Sequence, residues 1–552
     1  MMNKEYIDYL NTLHNYDASN QNAFTEENQN NNYFRTTMVD REVGSYINDV
    51  LLDNESHILI LTGHAGDGKT GLLLQVLNKW NVLKNKKLEA IDTILMPNGK
   101  PCTYIKDFSE LNDIKRDEII KDIINKQKTQ SAFLVANTGP LISTFKKILN
   151  DEDYRLFIDA IDINDGAIKD YSGVKISVVN IATIDNSTFV VPFLNNVLSD
   201  VLWNKCGTCK KKAFCPMFFN RNLIKENFGR ITQFIEKHYI WQQEYMHKLT
   251  IRQIVAHLSY MITGGLKCEH VRQTDNIKFN YLFSNLFFGY VGLQLDKKAL
   301  RLKAIDDIAK NKYSSKRLYA DEILFIKRDL SCFCEDVKLL LEDIGLKTYY
   351  SETWQKAVRR AYLMQNIDTD THNYLTMLQD AFSEWYPRFL NIRKGCPTEK
   401  GDKNLLNDAL SMIFLGTLQD ASDIPVTLNR ELGTVQSAQL VIGNLSKMKI
   451  KVKSVAVNNY SNNKVYKLVL DVDNGEVIAN LGLPLINYFV DVRKGIIVTD
   501  IDPLLSHGVD SIKAQIMATV YDNEDTLKIA VMDRNHWNIK EFELIQGKWQ
   551  IL

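Results

Sequence analysis

Between His57 and Leu77 the chain reads HILILTGHAGDGKTGLLLQVL. Gly63, four loop residues, then Gly68, Lys69 and Thr70 form a spacing at which backbone can wrap phosphate oxygens. Glycines let successive N–H groups turn inward without a Cβ in the way. A lysine supplies a point charge for the β- and γ-phosphates, and a threonine hydroxyl can ligate Mg²⁺. The apolar run before the loop and the leucine-rich run after it predict a buried strand and a helix, the helix turning its positive dipole end toward the same anion. Gly63, Ala65, Gly66, Asp67, Gly68, Lys69, Thr70 and Gly71 are therefore the expected nucleotide-binding residues, with ATP and Mg²⁺ as cofactors. Asp67 is unusual beside phosphate, and its carboxylate is expected to point outward.

The metal-side carboxylate is less plain, because no run of four aliphatics ends in Asp-Glu. The best candidate is CTYIKDFSE, with Asp107 on Mg²⁺ and Glu110 near the attacking water; a plain acidic helix cap at Asp107 or Ser109 explains the same residues. AFLVANTG puts Asn137 at the end of a buried strand, where it could hold the lytic water, with Asn180 of KISVVNIA as its rival. Either could be a turn former. HKLTIRQIVAHL opens a helix with Thr250 and Arg252, and the arginine is a candidate for the γ-phosphate or else a solvated surface residue. Arg230 in FGRITQF is a weaker candidate of the same kind.

A second constellation is Cys206-x-x-Cys209-x5-Cys215-Pro. Two cysteines two residues apart can wrap one tetrahedral metal, and a third nearby suits structural zinc. Cys268 or His270, in GGLKCEHV, could complete the set; a free-thiol loop or a redox pair are the alternatives. Lys205, Lys210, Lys211 and Lys212 would offset thiolate charge, or touch DNA phosphates, or form a solvated loop. Cys332, Cys334 and Cys396 lack metal spacing and read as core.

The elements that must position these residues follow from periodicity. Buried-strand patterns at 58–62, 102–107, 132–137 and 175–182 alternate with helical ones, which predicts a parallel sheet covered on both faces. Residues 220–400 are helical in period. After about 400, MKIKVKSVAV, KVYKLVLDV, KGIIVTDI, AQIMATVY and LKIAVMD read as strands. The expected organisation is a polar lead-in (1–40), an α/β core (41–200), a cysteine-bearing segment with a helical lid (201–290), a helical domain (291–400) and a strand-rich C-terminal domain (401–552).

The chain has 552 residues, with 67 basic and 67 acidic side chains. That length implies several domains. The even charge balance advertises no global affinity for nucleic acid, so DNA contact would need a local patch or a partner. The absence of a long apolar run and of a signal-peptide pattern leads to the expectation of a cytoplasmic chain without membrane contact.

Together the GxAGDGKT loop, the DFSE strand end, LVANTG, the C-x-x-C…CP segment and the LTIR helix resemble the DptF-like ATPases of phosphorothioation-dependent DNA restriction, over roughly residues 35–290. The resemblance implies a P-loop NTPase fold of AAA+-like type, with Gly63, Gly68, Lys69 and Thr70 in the phosphate loop, Asp107 and Glu110 at the acidic strand end and the cysteines in a metal-like segment. It implies an ATP-hydrolysing subunit that regulates or powers an antiphage restriction complex with partner subunits, through which DNA is met, and which could self-associate. A nucleotide-gated scaffold or sensor with little turnover, docking a protein partner, is the alternative. Nuclease chemistry finds no spaced acidic constellation here, and small-molecule kinase chemistry fits poorly with the large appended modules.

Overall fold

The computed structural model describes residues 3–14, 32–53, 55–83, 88–246, 248–311, 316–365, 371–418, 421–428, 438–458, 460–472, 477–496, 501–520, 526–533 and 536–552. The chain divides into two compact units, Met1–Phe382 with Asn458–Asn462, and Ser383–Val457 with Asn463–Leu552. It is a mixed α/β protein with several sheets and many helices.

The first unit is built on a six-stranded sheet of β1 (Ile58–Thr62), β2 (Ile91–Leu95), β3 (Pro101–Ile105), β4 (Ser131–Ala136), β5 (Ile168–Tyr171) and β6 (Val174–Asn180), in the order β2-β3-β4-β1-β6-β5. The four central strands, β3, β4, β1 and β6, run parallel, and β2 and β5 close the edges as antiparallel partners. Thr62 lies in register with Ala136 on one side and Asn180 on the other, so the loops after three neighbouring strands leave the same edge of the sheet.

Helices in chain order are α1 (Lys4–Thr12), α2 (Asn32–Thr37), α3 (Glu42–Leu51), α4 (Lys69–Lys79), α5 (Asp113–Lys126), α6 (Thr138–Ile148), α7 (Asp151–Ile163), α8 (Val190–Val197), α9 (Asp200–Gly207), α10 (Pro216–Glu226), α11 (Phe228–Tyr245) and α12 (Ile251–Thr263). Alternation along β1 assigns them to faces. Leu59 and Leu61 pack with Ile47 of α3 and Leu73 and Leu77 of α4. Ile58 and Ile60 pack with Ile120 of α5, Phe145 of α6 and Phe157 of α7. Successive β1 side chains point to opposite faces, and every β1 residue is buried, so both faces must be covered.

Several expectations change. The lead-in is not all loose: α1 buries Tyr6, Ile7 and Leu10, and the Tyr6 hydroxyl donates to Val197 O at 2.6 Å. Its amide-rich stretch, 15–31, lies outside the described residues. The edge strands β2 and β5 were not expected; β2 is almost wholly exposed and lacks a buried-strand pattern. The division between the units, at Phe382 and Ser383, falls within the helical stretch, whose helices run on to Leu415.

The second unit holds a five-stranded and a three-stranded antiparallel sheet, with helices Tyr386–Arg393, Lys400–Leu415, Leu483–Arg493 and Pro503–Val520. AQIMATV, the described part of AQIMATVY, lies at the end of the last of these, not in a strand. Its helix buries Val509, Ile512 and Ile516, three and four residues apart, and a short apolar run does not by itself separate the two periods. KGIIVTDI falls partly outside the described residues. Among the described residues no helix is long and apolar enough to cross a membrane.

Candidate functional site

The loop after β1 turns through two glycines in the left-handed region, Gly66 at φ +90° and Gly68 at φ +86°. Only glycine adopts these without strain. A Cβ on Gly63 would come within 2.7 Å of the Ile181 side chain. Gly68 then caps α4, whose first internal bond runs from Leu72 N–H to Gly68 O at 3.0 Å. The N–H groups of the preceding helical turn have no acceptor within the helix. Nothing within 4 Å would meet a Cβ on Gly71, so the space beside that turn is open.

Lys69 folds under the loop. It is 8% exposed. Its ammonium donates to Gly63 O and His64 O, each at 2.9 Å, and to Asn137 Oδ1 at 2.8 Å. Burial lowers its pKa, and the carboxylates of Asp67 and Asp107 oppose that shift. The lysine binds the loop's carbonyls, and so stands where the loop, the end of β4 and the end of β3 converge.

Asp67 does not point outward; it is fully buried. Its Oδ2 accepts from His64 N–H at 2.9 Å, and its Oδ1 stands 3.6 Å from the Lys248 ammonium. A buried carboxylate needs such partners. Lys248 also donates to Ile181 O at 2.9 Å and Ile184 O at 3.2 Å. Arg41, just before α3, donates to Asp67 O at 2.9 Å and to Asn186 Oδ1 at 3.3 Å. Burial brings the Arg41 guanidinium down to about 10, with Asp67 opposing the shift. Neither Arg41 nor Lys248 was singled out from sequence, because an isolated basic residue outside the motif has no diagnostic spacing. They give the loop positive charge beyond that of Lys69.

At the neighbouring strand ends, Ser109 N–H donates to Asp107 Oδ1 at 2.9 Å, Asn137 N–H donates to Ser109 Oγ at 2.7 Å, and Asn137 Oδ1 takes the Lys69 bond. A hydrogen-bonded chain thus runs from Asp107 to Lys69. Asp107 caps the short turn Phe108–Glu110, while Glu110 is exposed. Asn180 is committed elsewhere: its Oδ1 accepts from Ala182 N–H at 3.0 Å and its Nδ2 donates to Ile161 O at 3.3 Å.

The start of α12 sits on the loop crest. Thr250 forms a capping box with Gln253, Arg252 N–H donates to Gly66 O at 3.2 Å, and a Cβ on Gly66 would lie 3.0 Å from Thr250 Oγ1. Arg230 is not part of this group; its guanidinium stacks 4.4 Å from the Tyr374 ring centroid. Beside Gly68 and Gly71 opens a recess of about 90 Å³, walled by Met38, Val39, Leu72, Phe193, Ile251 and Val255 among others. Its walls come from five separated stretches of chain, which is why no local motif announces it. The chain matches no family model, no curated protein and no solved structure.

The cysteines gather at a different place. Cys206 ends α9, Cys209 follows it, Cys215 caps α10, and Cys268 lies in the loop after α12. All four border one small cavity, together with Lys211 and Lys212; His270 is not among its walls. Among the described residues no three His, Cys, Asp or Glu side chains stand ready to hold a metal ion, so the thiols ring the cavity without meeting at a point. Of the remaining cysteines expected in the core, Cys332 and Cys334 are half-buried and Cys396 is exposed.

Proposed function

We propose that this chain binds ATP with Mg²⁺ at the loop between β1 and α4 and hydrolyses it. The observation that carries the reading is Lys69, held beneath two left-handed glycines by the loop's own carbonyls and Asn137. This arrangement leaves the first N–H groups of α4 for an anion, next to open space at Gly71. The apolar recess beside the loop suits the flat face of a base.

In this reading the α4 amides hold the phosphates, Lys69 joins them by exchanging one of its present acceptors for a phosphate oxygen, and Thr70 with Asp107 would hold the metal, which supplies charge neutralisation for phosphoryl transfer. Asn137 is positioned by Ser109 and Lys69 to orient a water. Thr250 and Arg252 bring the lid helix onto the loop, so that the occupancy of the site is felt by α12. The buried Lys69 and the half-buried Arg41 and Lys248 surround the buried carboxylate of Asp67, so the loop carries positive charge that added anionic charge would meet.

The role in DNA restriction rests on the resemblance described above, with partner subunits performing cleavage. A second reading, a nucleotide-gated scaffold with little turnover, is favoured by one observation: Asp107 is engaged in capping and Glu110, the second carboxylate expected there, is exposed. Turnover of ATP by the purified chain, measured with and without DNA, separates the two. Turnover that Lys69→Ala abolishes supports the enzyme; binding without turnover supports the scaffold.

A further inference from the structure

We propose that Cys206, Cys209, Cys215 and Cys268 form a structural four-thiolate zinc site that fastens the loop after α12 to the α9–α10 segment. The inference is independent of the nucleotide reading, since none of these residues touches the phosphate loop.

Spacing alone supplies three candidate ligands and leaves the fourth open between Cys268 and His270. The fold decides between them, because Cys268 arrives at the cavity bordered by the other three, across more than fifty residues of sequence, and His270 does not. Four cysteines from three separate elements around one small cavity are a closed donor set of the type structural zinc takes. Soft thiolates with no carboxylate or water position leave no site for chemistry, which assigns the ion to structure rather than catalysis.

Burial raises the Cys206, Cys215 and Cys268 thiols and keeps them protonated without a cation, yet several neighbours would favour thiolates once one is bound. Cys215 caps α10, and its sulfur is within reach of the Met217 and Phe218 backbone N–H groups at the positive end of that helix. The Asn3 side chain reaches Cys206. Lys211 borders the cavity and donates to Cys268 O at 3.1 Å, Glu269 O at 3.3 Å and Val271 O at 2.7 Å, holding the Cys268 loop against the segment that carries the other ligands. Zn²⁺ binding displaces the four thiol protons to solvent and leaves a net charge of minus two, which Lys211 and Lys212 offset. Neutral thiols have no reason to converge on a point, and closure accompanies the arrival of the cation.

The test is metal analysis of the full chain purified without chelator. The expected result is about one zinc per chain, retained in Lys69→Ala and His270→Ala and lost in Cys268→Ser. Because a ligand variant can fail to fold, the wild-type chain is also exchanged with Co²⁺, which should give thiolate-to-metal charge-transfer bands and the visible spectrum of a tetrahedral site. Metal-free wild-type protein that takes up neither ion, a disulfide among the four cysteines in freshly prepared protein, or zinc that survives in folded Cys268→Ser but leaves with His270→Ala would each overturn the proposal.

Discussion

The two ends of α12 are satisfied in opposite ways. At its start, Thr250 and Arg252 meet a loop whose charges answer one another: Asp67 is faced by Lys248 and His64 N–H, and Lys69 spends its donors on Gly63, His64 and Asn137. Past its other end, Cys268 joins three more thiols around a cavity that Lys211, Lys212 and Asn3 also border and that no carboxylate lines among the described residues. The first arrangement is complete as protein and ready for an anion. The second is the one proposed above to close around a cation. Between them α12 is nearly all buried, so it joins the proposed phosphate site, built from backbone already in place, to the proposed metal site, which side chains would have to close.

The largest break should come from the loop end. Asp67→Ala removes a fully buried carboxylate that faces the Lys248 ammonium and accepts from His64 N–H, while the Arg41 bond to the Asp67 carbonyl stays, and loss of one member of a buried ion pair costs about 3–5 kcal/mol. A fall of that size in denaturant-unfolding stability is expected, and a change under 1 kcal/mol would show that Asp67 is not the anchor of this end.

Acid should act on the helix itself. His257 of α12 bridges Tyr239 and Phe287 O, and His14 meets Thr263; burial lowers each imidazole to about 4. Their folded pKa values lie below the unfolded one, so the unfolded chain takes up protons first as pH falls. Stability from these groups is full above about pH 6.5, drops between there and pH 4, and levels off below, with about 3 kcal/mol at stake for each. Urea titrations across that range should show the slope, and His257→Phe should reduce it.

Gly68→Ala is expected to cost about 1–2 kcal/mol, because the new side chain must sit at φ +86°. It should also weaken ATP binding, whereas Gly71→Ala, with nothing near the new Cβ, should leave stability unchanged. The smallest effect sharpens the choice of arginine. Arg230→Ala removes a cation–π contact worth about 0.5–1 kcal/mol and should leave ATP turnover alone. Arg252→Ala should slow turnover more than it weakens binding. Equal kinetics for the two variants would remove Arg252 from the site.

How far the sequence reaches is seen at particular residues. The loop was legible because its glycines, lysine and flanking apolar runs are local, and strands β1, β4 and β6 are continuous apolar runs. Asp67 was misjudged because its solution is long-range, through Lys248 some 180 residues on. Asn137 and Asn180 look alike at strand ends, and only the partners Lys69 and Ser109, against Ala182 and Ile161, separate them. The recess wall at Met38, Phe193 and Val255 has no local signature at all. The same limit explains AQIMATVY: an apolar run carries hydrophobicity but not its period, and the longer helix Pro503–Val520 supplies it.

The central claim is that Lys69 and the amides around it cradle a triphosphate. Calorimetric titration of the full chain with Mg·ATP tests it most directly. One site per chain is expected for the wild type, with affinity falling by about 100-fold or more in a folded Lys69→Ala variant, the scale of losing a preorganised charged donor. Equal binding by the two proteins, or no binding by either, would contradict it.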